Sequence, residues 1–279
     1  MQLEVELTSR EGAAIGLAQR FVADGFRDIV VLGGDGTIGE VVAGCVLPDG
    51  SGMRAADIGL SVIHQGTGGD VAHGLGIPKD EAGALAVARS GALRRVDVGI
   101  ARFEQGDALV RGFLSCANVG MSAEVVELVT GRLKRIGKSG AFAAATLRSL
   151  ARNRARPMEI RTAEGLELDI DVVDVMAANN RYLGGGMLAA PNAEWDDGLF
   201  DLVMIGAARR TTLLRAFPKI YSGRHLSHPI VRVERTASVR LASGDAQRPE
   251  RVVLDGELVG RTPVTFELLP AALGIRVPV

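Results

Sequence analysis

Val30-Val31-Leu32-Gly33-Gly34-Asp35-Gly36-Thr37 takes an apolar run into a turn almost bare of side chains. Gly33, Gly34, Gly36 and Gly39 leave amide N–H groups open to close approach, and a following helix adds the positive end of its dipole. That combination favours an anion, most simply a phosphate. A local reading stays open, because Gly-Gly-Asp-Gly is a tight-turn sequence and Thr37-Ile38-Gly39-Glu40 fits a capping box in which Thr37 and Glu40 satisfy free backbone donors. His64-Gln65-Gly66-Thr67-Gly68-Gly69-Asp70 is a second glycine-rich turn. Asp196-Asp197-Gly198-Leu199-Phe200-Asp201 packs three carboxylates beside backbone carbonyls, which suits a hard, oxygen-loving cation or a solvated acidic turn before a strand. Asp255-Gly256-Glu257 reads locally as a hairpin turn between two strands.

Periodicity supplies the elements that hold these stretches. Ile15, Ala18, Phe21 and Val22 predict a helix over 11–24 that Gly25 stops, and the continuous apolar run 28–32 predicts a strand buried on both faces of a parallel sheet. Ile38, Val41, Val42 and Cys45 mark the next helix, completing one βα unit. A second unit follows, with a strand over 58–63, the second glycine turn and a short helix ending near Pro78. Two glycine turns at the ends of neighbouring strands face one crevice. From about residue 94 strands dominate, predicted over 96–103, 109–119, 158–162, 166–178, 198–205, 230–241, 251–254 and 264–269. Helical stretches at 122–130, 139–153 and 210–221 interrupt them, so a second, strand-rich domain is expected.

The length of 279 residues fits two domains, and 47% hydrophobic with 23% charged residues at net charge -1 describes an ordinary folded chain, not a nucleic-acid binder driven by bulk charge. Cys45 and Cys116 predict two buried reduced thiols. The absence of a bilayer-length apolar run and of signal-peptide features predicts a cytoplasmic protein. Charge is uneven, however. Residues 129–157 contain no acid, yet Arg132, Lys134, Arg135, Lys138, Arg148, Arg152, Arg154 and Arg156 fall there. Such a segment either rests on anionic headgroups, each cation contributing about 1 kcal/mol, or is a solvated helix face. His64, His73, His225 and His228 lack metal-ligand spacing and read as surface or core residues, and Trp195 reads as packing.

In order and separation, VLGGDGTIGEVV at 31–42, GTGGDVAHGLGIP at 66–78, GGGMLAAPNAEWDDGLFDL at 184–202 and LDGE at 254–257 resemble the diacylglycerol kinase catalytic-domain family of ATP-dependent lipid kinases, sphingosine and ceramide kinases included. The resemblance spans nearly the whole chain. It implies an NAD kinase/diacylglycerol kinase-like α/β domain over 1–94, to which 273–279 returns, and a β-sandwich-like lipid-substrate domain over 95–272, with an ATP cleft between them. By the same resemblance Thr8, Gly33, Gly34, Asp35, Gly36, Thr37 and Thr67 bind ATP, and Asp35 serves the magnesium and phosphate charges or acts as base. Glu257 is then the general base on the lipid hydroxyl, with Asp255 as helper or structural partner. A structural Mg2+ is implied at the Asp197 side chain and the Glu194 and Leu199 carbonyls. The expected partners are a lipid substrate and the anionic inner membrane surface, with no nucleic acid, and a homodimer is one assembly this reading admits. The alternatives are an NAD kinase-like phosphotransferase and a non-catalytic lipid-binding protein derived from a kinase. Family members begin with a strand and an Asn-Pro loop, so either the true start lies upstream of Met1 or a strand and part of the ATP site are lost. Gly69 stands where relatives commonly carry Asn, which removes one amide from the nucleotide side.

Overall fold

The computed structural model describes residues 3–65, 68–105, 109–130, 138–152 and 154–279. Residues 3–9 run without regular structure, Glu4 and Glu6 pairing with Arg20. Helix α1 (Ala13–Ala23) buries Ala14, Ala18 and Val22. The apolar run forms β1 (Asp28–Gly33), which buries Ile29 and Val31 but leaves Val30 and Leu32 exposed, contrary to the expected burial on both faces, and α2 (Asp35–Cys45) follows after a single residue. Helices α1 and α2 pack so closely that a β-carbon on Gly44 would lie 2.4 Å from the Ile15 carbonyl oxygen. Strand β2 (Gly59–His64) pairs with β1 in parallel, Asp28 opposite Gly59 and Gly33 opposite His64, so both glycine turns leave the sheet at the same end. Next come α3 (Asp70–Gly74) and α4 (Glu81–Ser90), the latter capped by Asp80, whose side chain accepts from the Gly83 N–H.

The rest of the chain is mainly strand: β3 (Ala92–Phe103), β4 (Val110–Phe113), β5 (Cys116–Gly120), then α5 (Met121–Thr130) and α6 (Lys138–Arg152). Strands β6 (Arg156–Thr162), β7 (Glu167–Ala178), the short pair β8 (Tyr182–Leu183) and β9 (Met187–Leu188), and β10 (Phe200–Gly206) precede α7 (Arg210–Ala216). The chain closes with β11 (Val231–Thr236), β12 (Ser238–Ser243), β13 (Arg251–Leu254), β14 (Glu257–Arg261) and β15 (Val264–Val277). The core behind the site is apolar and aromatic, with Phe113, Phe200 and Phe266 in contact at ring-centroid distances of 5.8 and 5.9 Å. Such aromatic pairs add about 0.5–1.5 kcal/mol each beyond area burial.

Strand β15 ties the two halves together. Along most of its length it pairs with β3, and Gly274 and Ile275 then pair in parallel with β2. Its register shifts between Leu269 and Leu273, where Ala271 has φ 47° and its N–H donates to the buried carboxylate of Asp97 at 2.6 Å.

Several expectations are corrected. The predicted strand over 109–119 is two strands, β4 and β5, and the one over 230–241 is β11 and β12. The helix over 210–221 ends at Ala216 and tightens to a 3-10 turn at Phe217–Ser222, because Pro218 cannot continue an α-helical ladder. The capping box does not form. Helix α2 already begins at Asp35, with Gly34 as its N-cap and no side-chain cap, and Glu40 reaches away to α1.

Candidate active site

Because α2 starts immediately after β1, Gly34, Asp35, Gly36 and Thr37 form its first turn, where backbone N–H groups have no helical acceptor. They line one wall of a cleft of about 570 Å³ together with Thr8, Arg10 and Glu11 from the segment before α1. Asp255, from the turn between β13 and β14, and Glu257, the first residue of β14, face them. The Glu257 carboxylate sits over the glycine turn, since a β-carbon on Gly36 would lie 3.8 Å from its Oε1. Gly33 is the last residue of β1, with the Thr37 side chain against it. Thr67 lies outside the described residues.

The carboxylates around the cleft hold backbone. Asp35 accepts N–H bonds from Gly69 at 2.9 Å, Asp70 at 3.3 Å and Val71 at 3.1 Å, so it caps α3 and fastens the second glycine turn to the first. Gly69 adopts φ 76°, and a β-carbon there would come within 3.0 Å of the His64 ring. Asp70 takes the N–H groups of Gly185 and Gly186, both at 2.8 Å, and stacked His73 and Tyr182 add a second contact between the same elements. Asp255 accepts from Leu114, Ser115 and Cys116. Glu40 accepts from Gly12 at 2.8 Å and Ala14 at 2.9 Å, fixing the segment that carries Thr8. A carboxylate offers about four lone-pair sites, so the three bonds to Asp35 leave one free. Among these, Asp70 as an anchor of backbone and the distant partners of Glu40 are what sequence reasoning missed, whereas Asp255 was expected as a helper or structural partner. The only signal for Asp70 was its place at the end of the second glycine turn.

Glu257 differs from its neighbours. Burial pushes its carboxyl up to about 7, with the negative charge of Glu40 next in weight, Arg111 opposing, and Glu11 and Asp255 adding. Arg111 Nη2 lies 3.4 Å from Glu257 Oε2. A carboxyl poised near neutrality can take a proton from a hydroxyl and pass it on, as general-base catalysis requires. Burial also raises the carboxyls of Asp70 and Asp255, against the pull of the amides they accept from.

A second, apolar chamber of about 130 Å³ adjoins the cleft, sharing Val126, Phe142, Leu183 and Gly256 with it. Met121, Leu150, Met176, Leu213 and Phe217 line it, and Asp174 stands at its edge, bonded to the Ser122 N–H and hydroxyl and raised to about 6 by burial.

Glu194, Asp197 and Leu199 do not belong to the cleft wall. Asp197 accepts the Leu199 N–H at 3.0 Å through Oδ1 and pairs with Arg235 through Oδ2, while Asp196 pairs with Arg94 at 2.8 Å. Asp201 is buried beside them, and its Oδ2 has no hydrogen-bond partner. Among the described residues, no three His, Cys, Asp or Glu side chains converge as a metal site. Trp195 is buried and donates its indole N–H to the Gly74 carbonyl at 3.2 Å. Cys45 and Cys116 are buried free thiols. His225 is buried, its Nε2 3.1 Å from the Ala189 carbonyl oxygen.

A glycine-lined helix start thus faces a carboxyl poised near 7, beside an apolar chamber. Residues 1–101 match the diacylglycerol kinase catalytic domain, and residues 115–277 match the YegS C-terminal NAD kinase beta sandwich-like domain. The chain belongs to the diacylglycerol kinase family of lipid kinases. It is 30% identical over 262 residues to a diacylglycerol kinase of Mycobacterium tuberculosis, covering 92% of this chain and 79% of that one. To a Pseudomonas putida protein named as a YegS-like lipid kinase it is 29% identical, covering 99% and 85%. A crystal structure of a diacylglycerol kinase from Bacillus anthracis superposes with a TM-score of 0.69 at 22% identity, covering 97% of this chain and 83% of that one.

Proposed function

We propose that this chain transfers the γ-phosphoryl group of ATP to the hydroxyl of a diacylglycerol or a related lipid alcohol, with Glu257 as general base. The observation that carries the reading is the Glu257 carboxyl, held at about 7 over the α2 glycine turn and beside the apolar chamber. Phosphoryl transfer asks mainly for positioning and charge neutralisation. Thr8, Gly33, Gly34, Gly36, Thr37 and Thr67 hold the nucleotide in this reading, Asp35 orients its phosphate end, and the chamber takes the acyl chains. Mg2+ supplies neutralisation of the phosphate charge when bound, and the free lone-pair site of Asp35 fits that use. The Asp197 turn, with the Glu194 and Leu199 carbonyls, is proposed as a structural Mg2+ site. The partnerless buried Oδ2 of Asp201 supports it, and a bound ion would displace Arg235, which now pairs with Asp197 and Asp201.

In this proposal residues 1–94 with 273–279 form the nucleotide half and 95–272 the lipid half. Among the described residues no helix is long and apolar enough to cross a membrane; the lipid is proposed to be met at the surface of the inner membrane. The basic stretch 132–156 is proposed to meet anionic headgroups, although its Arg132, Lys134 and Arg135 lie outside the described residues. Labelled ATP offered with a panel of lipids and NAD tests the function. Transfer to a lipid, lost in Asp35→Asn and Glu257→Gln, supports it. Transfer to NAD alone, or to nothing while vesicles are still bound, refutes it.

A further inference from the structure

Helices α6 and α7 pack on each other through Ala145, Leu150, Leu213 and Phe217 and roof the apolar chamber. Their outer surfaces are cationic. Arg148 and Arg152 on α6, Arg209 and Arg210 at the start of α7, Arg215 at its end, and Lys219 and Arg224 in the turns beyond are all exposed. Residues 207–229 contain no Asp or Glu, nor do residues 138–156. The ion pairs of the described residues all lie elsewhere, so none of these cations is neutralised by a neighbouring carboxylate. Leu147, 42% exposed, and Tyr221, 46% exposed, stand among them.

We propose that α7 and the turn after it, beside α6, form the face by which this chain docks on an anionic lipid bilayer. Charge complementarity argues for that occupant. A cluster of uncompensated cations is attracted to anionic headgroups, the stems of Arg and Lys lie along apolar surface while their heads stay in the polar layer, and an aromatic ring is favoured at the same depth. The same helices supply the wall of the chamber, so docking sets the chamber against the layer that holds its lipid. The inference rests on the lipid-kinase reading for its purpose but not for its test.

The full chain is sedimented with vesicles of phosphatidylcholine alone and with vesicles in which a third of the lipid is phosphatidylglycerol. The comparison includes Arg210→Glu/Arg215→Glu/Lys219→Glu and a control, Arg248→Glu, exposed in the turn between β12 and β13 and paired with Asp245. Wild type should bind the anionic vesicles, less so as salt rises. The triple variant should lose about a hundred-fold in binding, since each cation contributes about five-fold, and the control should not. Where charge reversal unfolds the chain, Gln at the same three positions replaces it in the comparison. Equal binding by wild type and a folded triple variant overturns the proposal, as does an equal loss in the control, or wild-type preference for a DNA duplex over anionic vesicles. Phosphate transfer to a short-chain diacylglycerol in detergent is measured in parallel. Vesicle binding without transfer in wild type would refute the kinase reading and leave the docking face standing, whereas transfer without binding would do the reverse.

Discussion

Replacing Glu257 with Gln is predicted to strengthen the fold at alkaline pH while removing the reaction. The carboxyl is displaced from an ordinary 4.5 to about 7, chiefly by burial and by Glu40. A displacement of that size corresponds to about 3 kcal/mol of cost for carrying the charge in the folded state. The direction follows from linkage. Well below 4.5 the group is neutral folded and unfolded and contributes nothing. As pH rises the unfolded chain ionises first, so the fold loses stability until the folded carboxyl ionises near 7, after which the loss is constant. Gln carries no charge at any pH. Its advantage should therefore be absent in acid, grow from about 4.5 to about 7 and then level off. The variant leaves Arg111 without its partner, but that guanidinium is 23% exposed and the pair 3.4 Å apart. Its attraction is already contained in the displacement to about 7, so the expected gain stays at about 3 kcal/mol. Urea unfolding of both proteins across a pH series measures this directly. Wild type as stable as the variant at about pH 8, or a difference that does not change with pH, would refute the claim that Glu257 is held charged against its surroundings.

Three further outcomes follow from the same geometry. In Gly39→Ala the new methyl would lie 3.0 Å from Asp255 Oδ2 and 3.1 Å from its Cβ, displacing the anchor of residues 114–116. A cost of about 1–3 kcal/mol in thermal unfolding and a loss of phosphate transfer are expected. In Glu40→Gln one charge beside Glu257 disappears, so the acid limb of kcat/KM should move to lower pH by about one unit, and an unmoved limb would show that Glu40 does not act on Glu257. Asp70→Ala strands the Gly185 and Gly186 N–H groups and should cost about 2–4 kcal/mol, read by urea unfolding, with Asp70→Asn recovering part of it.

The sequence showed the backbone of the site better than its side-chain wiring. Both βα units, and the meeting of their glycine turns at one sheet end, were legible because continuous apolar runs and glycine punctuation are local signals. Helix α4 was passed over although Asp80 and Glu81 form a recognisable start, because its exposed face, with Leu85 and few large apolar residues, weakens the periodicity. Two long strand predictions failed where the chain makes a tight connection, at Leu114–Ser115 and at Ala237, with no Gly or Pro at the break to announce it. The capping box failed for another reason. Thr37 and Glu40 have the right spacing, but Gly12 and Ala14, 28 and 26 residues away in sequence, compete for Glu40. Asp35, Asp70 and Asp255 likewise bond backbone that is distant in the chain, and no local pattern encodes such partners. The acidity of Glu257 belongs to this class, since burial and Glu40 exist around it only after folding.

One cleft joining the α2 glycine turn, Glu257 and the apolar chamber is proposed to move a phosphoryl group onto a lipid. Incubation of the full chain with γ-labelled ATP, Mg2+ and diacylglycerol in mixed micelles, beside Glu257→Gln, tests it most directly. Label is expected in the lipid product with wild type, with a loss of at least about a hundred-fold in the variant. Undiminished transfer by folded Glu257→Gln would contradict it.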